Sequence, residues 1–268
     1  MLVKTVRDDM VGTNQRAGGK AGRQRQIVAD LRLYPAFRVG ELASRLGVST
    51  ETIRRDLADL DACGLISRTY GGAMRPVVYE PGLAEREGLM VAERQRIAAT
   101  AAGRVERNDI LMIGGGATTT HFAKHIAALD LPMTVITHSF SIAIALATNP
   151  LVCVLMLPGQ YDGREGLIHG AETVEALQRF RANKAFLGAS GLTVEGPNDA
   201  AMGPGLIYGV MTRRAAATCV LADHSKFDRP SLTDYAPWAN TVTLISDQKP
   251  EGDLAAALAE GGAKVVIA

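Results

Sequence analysis

"ELASRLGVSTETIRRDLADLDACGLISRTYGGAM", residues 41–74, reads as two short helices joined by a tight turn, with a hairpin behind them. Val39, Leu42, Ala43 and Leu46 line one face of the first helix, and Gly47 supplies the turn that ends it. Ser49 is placed to cap the second helix, with Glu51 in the first turn, where the helix dipole favours an acid. Ile53, Leu57 and Leu60 recur at helical spacing and form the buried stripe. Thr50, Thr52, Arg54 and Arg55 are left facing outward near the helix start. In a helix-turn-helix, that part of the second helix meets base edges in the major groove. Beyond it, apolar and polar residues alternate around Gly71-Gly72, which suits a two-stranded wing carrying Arg68 and Tyr70 to a DNA backbone. The expected DNA-contacting set is Arg38, Ser49, Thr50, Thr52, Arg54, Arg55, Arg68, Tyr70, Gly71 and Gly72. A three-helix subdomain with merely solvated arginines would share the local pattern.

Upstream, Ile27, Val28 and Leu31 give a further helix that Pro35 stops. Residues 1–21 are rich in Gly, Lys and Arg without periodicity and are expected to form a flexible basic arm. Residues 1–76 hold 13 Lys/Arg against 8 Asp/Glu, while the rest of the chain holds 16 against 20. A basic head on a mildly acidic body fits a nucleic-acid module joined to something else. At 268 residues, with 47% apolar and 21% charged residues, the chain can bury a normal core. No apolar run is long enough to span a membrane, and the N-terminus lacks the apolar stretch of a signal peptide, so a cytoplasmic protein is expected. Cys63, Cys153 and Cys219 are odd in number and far apart, which argues against a disulfide framework and a zinc site; no cofactor or metal is called for.

Downstream, the expected organisation is a winged helix-turn-helix over 22–76, a linker over 77–90 and a second domain over 91–268. In that domain "DILMIG", "MTVITH", "LVCVLML", "KAFLGAS", "AATCVLAD", "TVTLIS" and "AKVVIA" alternate with helical stretches. Short apolar runs between helices indicate a largely parallel α/β sheet, whose ligands gather at the carboxyl ends of the strands. Five such loops carry polar residues. "IGGGATTTHFAKHI" has Gly114, Gly115, Gly116 and Ala117, then Thr118, Thr119 and Thr120 opening a helix, a pattern suited to an anion. It lacks the ending of a P-loop, and a tight strand-to-helix turn with threonine capping would look similar. His138 and Ser139 end a strand. "LPGQYDGREGLIHG" carries Gly159, Asp162, Arg164 and His169, and could also be a plain exposed loop. "LGASGLTVEGPNDAAMGPG" offers Ser190, Asn198 and Asp199 on a flap. In "LADHSKFDRP", Asp223 and Lys226 could grip sugar hydroxyls and a phosphate, or form a surface pair. The expected ligand-binding set is Gly115, Gly116, Ala117, Thr118, Thr119, Thr120, His138, Ser139, Gly159, Arg164, Ser190, Asp223 and Lys226.

The run of residues 41–74, with its TIRRDL and closing GGA, closely resembles the winged helix of the DeoR family of bacterial transcription regulators. "AFLGASG" and "LADHSKF" extend the resemblance to that family's effector domain, over residues 22–268. The resemblance implies a sugar-phosphate isomerase/CoA-transferase fold used for sensing, with Arg54 and Arg55 on operator DNA. It also implies the phosphate of a sugar phosphate at the threonine loop, and Asp223 and Lys226 in the same pocket. Two departures stand out. Family members usually carry an aspartate at the position of Gly114 and a threonine at Ala117, and the helix after the flap usually opens with Glu-Ala and a lysine where this chain has Pro204, Gly205 and Tyr208. These imply a ligand that is bulkier, less hydroxylated or carries a different anion. The expected function is a homodimeric or homotetrameric repressor of carbohydrate-metabolism genes, released from double-stranded operator DNA by a phosphorylated sugar or related metabolite. The alternatives are an isomerase-like or CoA-transferase-like enzyme with an appended head, and a regulator without a small ligand.

Overall fold

In the computed structural model, which describes residues 19–33, 36–62, 66–69, 71–74 and 81–268, Gly47 takes the left-handed conformation (φ 64°, ψ 34°) and its N–H closes onto the Ala43 carbonyl. That turn joins α2 (Val39–Leu46) to α3 (Thr50–Ala62), and α1 (Gly19–Leu33) packs across them. The Ser49 hydroxyl accepts the Thr52 N–H at 3.1 Å and so caps α3. Ile53, Leu57 and Leu60 are buried with Ile27, Leu31 and Leu42. The buried Asp56 of α3 accepts two hydrogen bonds from Arg23 of α1, at 2.8 and 3.2 Å, which fixes the relation of the two helices. Residues 1–18 of the basic arm, Pro35, Tyr70 and residues 77–80 of the expected linker lie outside the described residues.

The wing differs from the expected two strands. β1 (Ala36–Arg38), ahead of the helix-turn-helix, joins β2 (Ser67–Thr69) and β3 (Gly72–Met74) in an antiparallel sheet of order β1-β3-β2. Three residues are too few to show an alternating pattern, so β1 left no sequence signal. Gly72 is buried where β1 crosses β3, and a Cβ there would overlap the Phe37 carbonyl oxygen. The expectation that Gly72 faces DNA is therefore corrected: close strand approach accounts for this glycine.

The chain divides into two compact units, residues 1–78 and 79–268. The second begins with α4 (Leu83–Arg86) and α5 (Val91–Ala102). β4 (Ile110–Ile113), α6 (Ala117–Ala127), β5 (Met133–Thr137), α7 (Phe140–Leu146) and β6 (Val152–Met156) follow. Next come the hairpin β7 (Gln160–Asp162) and β8 (Leu167–His169), then α8 (Ala171–Leu177) and β9 (Ala182–Gly188). β10 (Gly191–Leu192), β11 (Pro197–Asp199), α9 (Met202–Arg214), β12 (Ala215–Leu221), β13 (Thr233–Asp234), β14 (Val242–Ser246), α10 (Gly252–Glu260) and β15 (Lys264–Ile267) complete it.

All seven apolar runs become strands of one parallel sheet, ordered β15-β14-β12-β9-β4-β5-β6. Its central strands are apolar on both faces. Leu111, Ile113, Phe186 and Leu221 pack with α5, α6 and α7, while Met112, Ala185 and Leu187 pack with α8 and α9. The stretch expected as a linker ends sooner than residue 90. Leu83 is buried, its N–H donates to the Arg164 carbonyl at 3.3 Å, and Arg86 donates to both oxygens of Glu165, so α4 is bound to the β7–β8 turn.

Candidate functional site

The strand order reverses direction between β4 and β9. β5 and β6 continue to one side, and β12, β14 and β15 to the other. Such a switch point opens a crevice beyond the strand ends, where ligands of this architecture bind. The loop after β4 is Gly114-Gly115-Gly116, leading into α6. Gly116 has φ 124° and no side chain caps the helix, so the first N–H groups of α6 are left to a ligand or water. The threonines do not cap. Thr119 and Thr120 turn their hydroxyls back to donate to the Gly116 carbonyl, at 3.0 and 2.8 Å. Beside the loop, the Ser139 hydroxyl is buried without a hydrogen-bond partner among the described residues. A Cβ built on Gly115 would stand 3.6 Å from that hydroxyl, so the group faces the loop.

Two side chains hold the backbone of Gly115, one on each of its flanking peptide groups. Its N–H donates to His138 Nε2 at 3.2 Å, and its carbonyl accepts from the Tyr208 hydroxyl at 2.7 Å. His138 therefore carries its proton on Nδ1, which donates to the Ile168 carbonyl at 2.7 Å. Burial lowers the His138 pKa from 6.5 to about 4, opposed by that backbone bond. The ring is neutral and supplies an acceptor, not a positive charge.

Asp223, after β12, is buried and committed elsewhere. One oxygen accepts from Arg94 Nε of α5 at 3.3 Å, and the other from the Ser225 N–H and hydroxyl. Arg94 also donates to the Arg86 carbonyl, so one guanidinium joins the end of α4 to the strand-end loop. In the first unit, Arg54 and Arg55 lie at the start of α3 with side chains 60% and 78% exposed, each within 4 Å of Glu51. Thr50, Arg38, Arg68 and Gly71 are exposed on the same unit.

Residues 90–248 match the model of the DeoR C terminal sensor domain, and residues 23–76 match the DeoR-like helix-turn-helix domain. The chain belongs to the DeoR family. It is 28% identical over 243 residues to the HTH-type transcriptional repressor GlcR of Bacillus subtilis (strain 168), covering 90% of this chain and 93% of that one. It is 28% identical over 236 residues to the lactose phosphotransferase system repressor of Lactococcus lactis subsp. lactis, covering 86% and 92%. A solved ribose 5-phosphate isomerase A from Methanocaldococcus jannaschii matches at a TM-score of 0.38 and 17% identity, over 50% of this chain and 53% of that one.

Within this DeoR-family chain, the structure brings Gly115, Gly116, Ala117, Thr118, His138 and Ser139 together at the end of β4 and β5, with Ser190 after β9. Asp223, Arg164 and Gly159 each have structural surroundings of their own. Arg94 and Ser225 hold the Asp223 carboxylate. Arg164 sits at the tip of the β7–β8 turn beside Gly82, in a turn that Asp162 closes by accepting the Arg164 N–H at 2.9 Å. Gly159, at φ 142°, is explained by packing, since a Cβ there would press on Thr173 and the His169 carbonyl. Lys226 ends the 3-10 turn His224–Lys226 that follows Asp223. The residues missed from the sequence are Arg94, Tyr208 in its positioning part, and Tyr235. Arg94 had a readable signal, because it falls on the apolar stripe with Ile97, Ala98 and Ala101.

Two outcomes check this geometry. Asp223→Ala strands the buried Arg94 guanidinium and should lower unfolding stability by about 3–5 kcal/mol, measured by urea denaturation; a loss near zero would mean that solvent satisfies Arg94. For His138, the unfolded ring takes up a proton below its usual 6.5 while the folded ring resists until about 4. Stability should therefore fall as pH drops through that window, by about 3 kcal/mol in all. His138→Gln should remove that part of the slope, and an unaltered slope would contradict the neutral buried ring.

Proposed function

We propose that this chain is a DNA-binding transcriptional repressor of carbohydrate-metabolism genes, released from its operator by a phosphorylated sugar or a related small anionic metabolite. The observation that carries the sensing half is the uncapped start of α6 at the switch point, facing the unpartnered buried hydroxyl of Ser139. Backbone N–H groups at a helix start, with their partial positive charge, suit a phosphate. The lactose phosphotransferase system repressor among the relatives supports a carbohydrate setting.

For the DNA half, the start of α3 enters the major groove, with Thr50, Arg54 and Arg55 toward bases and phosphates and Arg68 toward the backbone. Glu51 is near both arginines at 3.5–3.8 Å, so DNA would compete with an exposed carboxylate for them. Two copies present two winged heads to a pseudo-palindromic operator. The chain works in the cytoplasm, where that DNA is; no helix of the described residues is long and apolar enough to cross a membrane.

Within the second unit, the glycine loop is tied to α4, the first described element of that unit. His138 holds the Gly115 N–H and pairs through its own carbonyl with the Ile168 N–H of β8, at 2.7 Å. The β7–β8 turn holds α4 through Glu165 and the Arg164 carbonyl, and Arg94 ties α4 to Asp223. An anion that draws the Gly115 loop and the start of α6 together biases this chain of contacts. It does so only by its preference for one arrangement over the other. Catalysis is disfavoured because the Asp223 carboxylate is engaged by Arg94 and Ser225, and Glu195 is exposed on the Thr193–Gly196 turn.

Operator binding tests the reading. On DNA from the chain's own upstream region, Arg54→Ala with Arg55→Ala should abolish specific retention. Where weak binding persists, every arginine–phosphate pairing removed should reduce the salt dependence of log K by about one unit. Retention equal to that of the parent chain would sink the assignment of α3 to DNA.

A further inference from the structure

Gly114 is not demanded by its backbone, since its φ is not positive. Space is what demands it. A Cβ at residue 114 would stand 2.6 Å from Tyr208 Cε1, 3.0 Å from Cζ and 3.2 Å from Leu187 Cδ2. The Tyr208 ring therefore fills the volume that a side chain at the end of β4 would take. Its hydroxyl goes one residue further, donating to the Gly115 carbonyl. The ring is only 3% exposed and meets His138 and Tyr235 edge-on, with centroids 5.8 and 5.4 Å away. Tyr235 repeats the device on the neighbouring strand. Its hydroxyl donates to the Gly188 carbonyl at 2.7 Å, at the end of β9. The two tyrosines thus bind the carbonyls at the ends of the two strands that flank the switch point.

We infer that Tyr208 is the positioning residue of the Gly114–Gly116 loop, and that Gly114 and Tyr208 act as one coupled pair that determines what the crevice accepts. With the Gly115 N–H given to His138 and the Gly115 carbonyl to Tyr208, the peptide groups on both sides of the Gly115 Cα are held, and the start of α6 is presented in one orientation. His138 is neutral and position 114 has no side chain, so the loop meets its ligand with neutral donors alone. The groups of the ligand next to its anion receive no partner from position 114. The pair thereby selects an anion whose neighbouring atoms need no side-chain hydrogen bond on the β4 side.

For the identity of the ligand this inference rests on the anion-sensing function proposed above; the coupling of Gly114 to Tyr208 does not. The test uses the full chain, with inorganic phosphate as probe and two readouts. The first is a stability cycle of Gly114→Ala, Tyr208→Leu and the double variant. Gly114→Ala should lower the melting temperature clearly in the parent and little or not at all beside Tyr208→Leu, because the smaller side chain gives the methyl group room. Additive shifts would overturn the coupling. The second is calorimetric titration of phosphate into Tyr208→Phe, which keeps the ring and loses the bond to Gly115. Affinity should fall about tenfold, equivalent to 1.4 kcal/mol, beside the fall in melting temperature that loss of a buried hydrogen bond brings. A lowered melting temperature with unchanged affinity would mark a purely structural tyrosine and overturn the positioning role. Failure of the parent chain itself to bind phosphate would overturn the phosphate reading of the crevice, with the stability cycle still deciding the coupling.

Discussion

A parallel sheet covered by helices on both faces leaves polar chemistry only at its strand ends. Leu111 and Ile113 point into one helical layer and Met112 into the other, so no side chain of β4 can reach a ligand before the strand stops. The reversal of strand order between β4 and β9 then decides which ends open apart. The crevice, the glycine loop and the tyrosine bonds to Gly115 and Gly188 all follow from that one topological fact.

Around the crevice, nearly every buried polar group has a partner within the protein. Thr137 donates to the Ile113 carbonyl at 2.8 Å and accepts the Ser139 N–H at 3.1 Å, closing the end of β5 against β4. Asp223 and Arg94 satisfy one another at the opposite side. Unsatisfied groups therefore stand out, and at the loop they are the Ser139 hydroxyl and the start of α6. A buried hydroxyl without a partner costs free energy comparable to a lost hydrogen bond, so the Ser139 hydroxyl calls for a partner from water or from a bound molecule.

The seven strands were legible because each is a continuous apolar run, and the helix-turn-helix because Gly47, Ser49 and the Ile53, Leu57, Leu60 stripe act at short range. The hairpin β7–β8 and the small sheet of β10, β11 and β13 were not legible. Strands of two or three residues flanked by glycines carry no period, and long-range pairing alone makes them strands. The site was half legible for a related reason. Glycine and threonine at a strand-to-helix turn mark the loop as a candidate, whereas the partners of that loop come from far along the chain. Tyr208 lies 93 residues beyond Gly115 and Asp223 lies 129 beyond Arg94, so their pairing could not be read from spacing. Asp223 and Lys226 read as a sugar grip from their spacing; the buried Arg94 that pairs with Asp223 lies on α5, out of reach of any local pattern.

The most direct measurement is a fluorescence-anisotropy titration of the full chain on its operator fragment, with and without a panel of phosphorylated sugars and inorganic phosphate. Coupling between two sites typically changes affinity by roughly 5–150-fold. The account predicts that at least one phosphorylated compound raises the operator dissociation constant within that range, and that the operator weakens binding of that compound by the same factor. Operator binding unmoved by every phosphorylated ligand, including any that binds the chain tightly, would contradict an anion-sensing repressor.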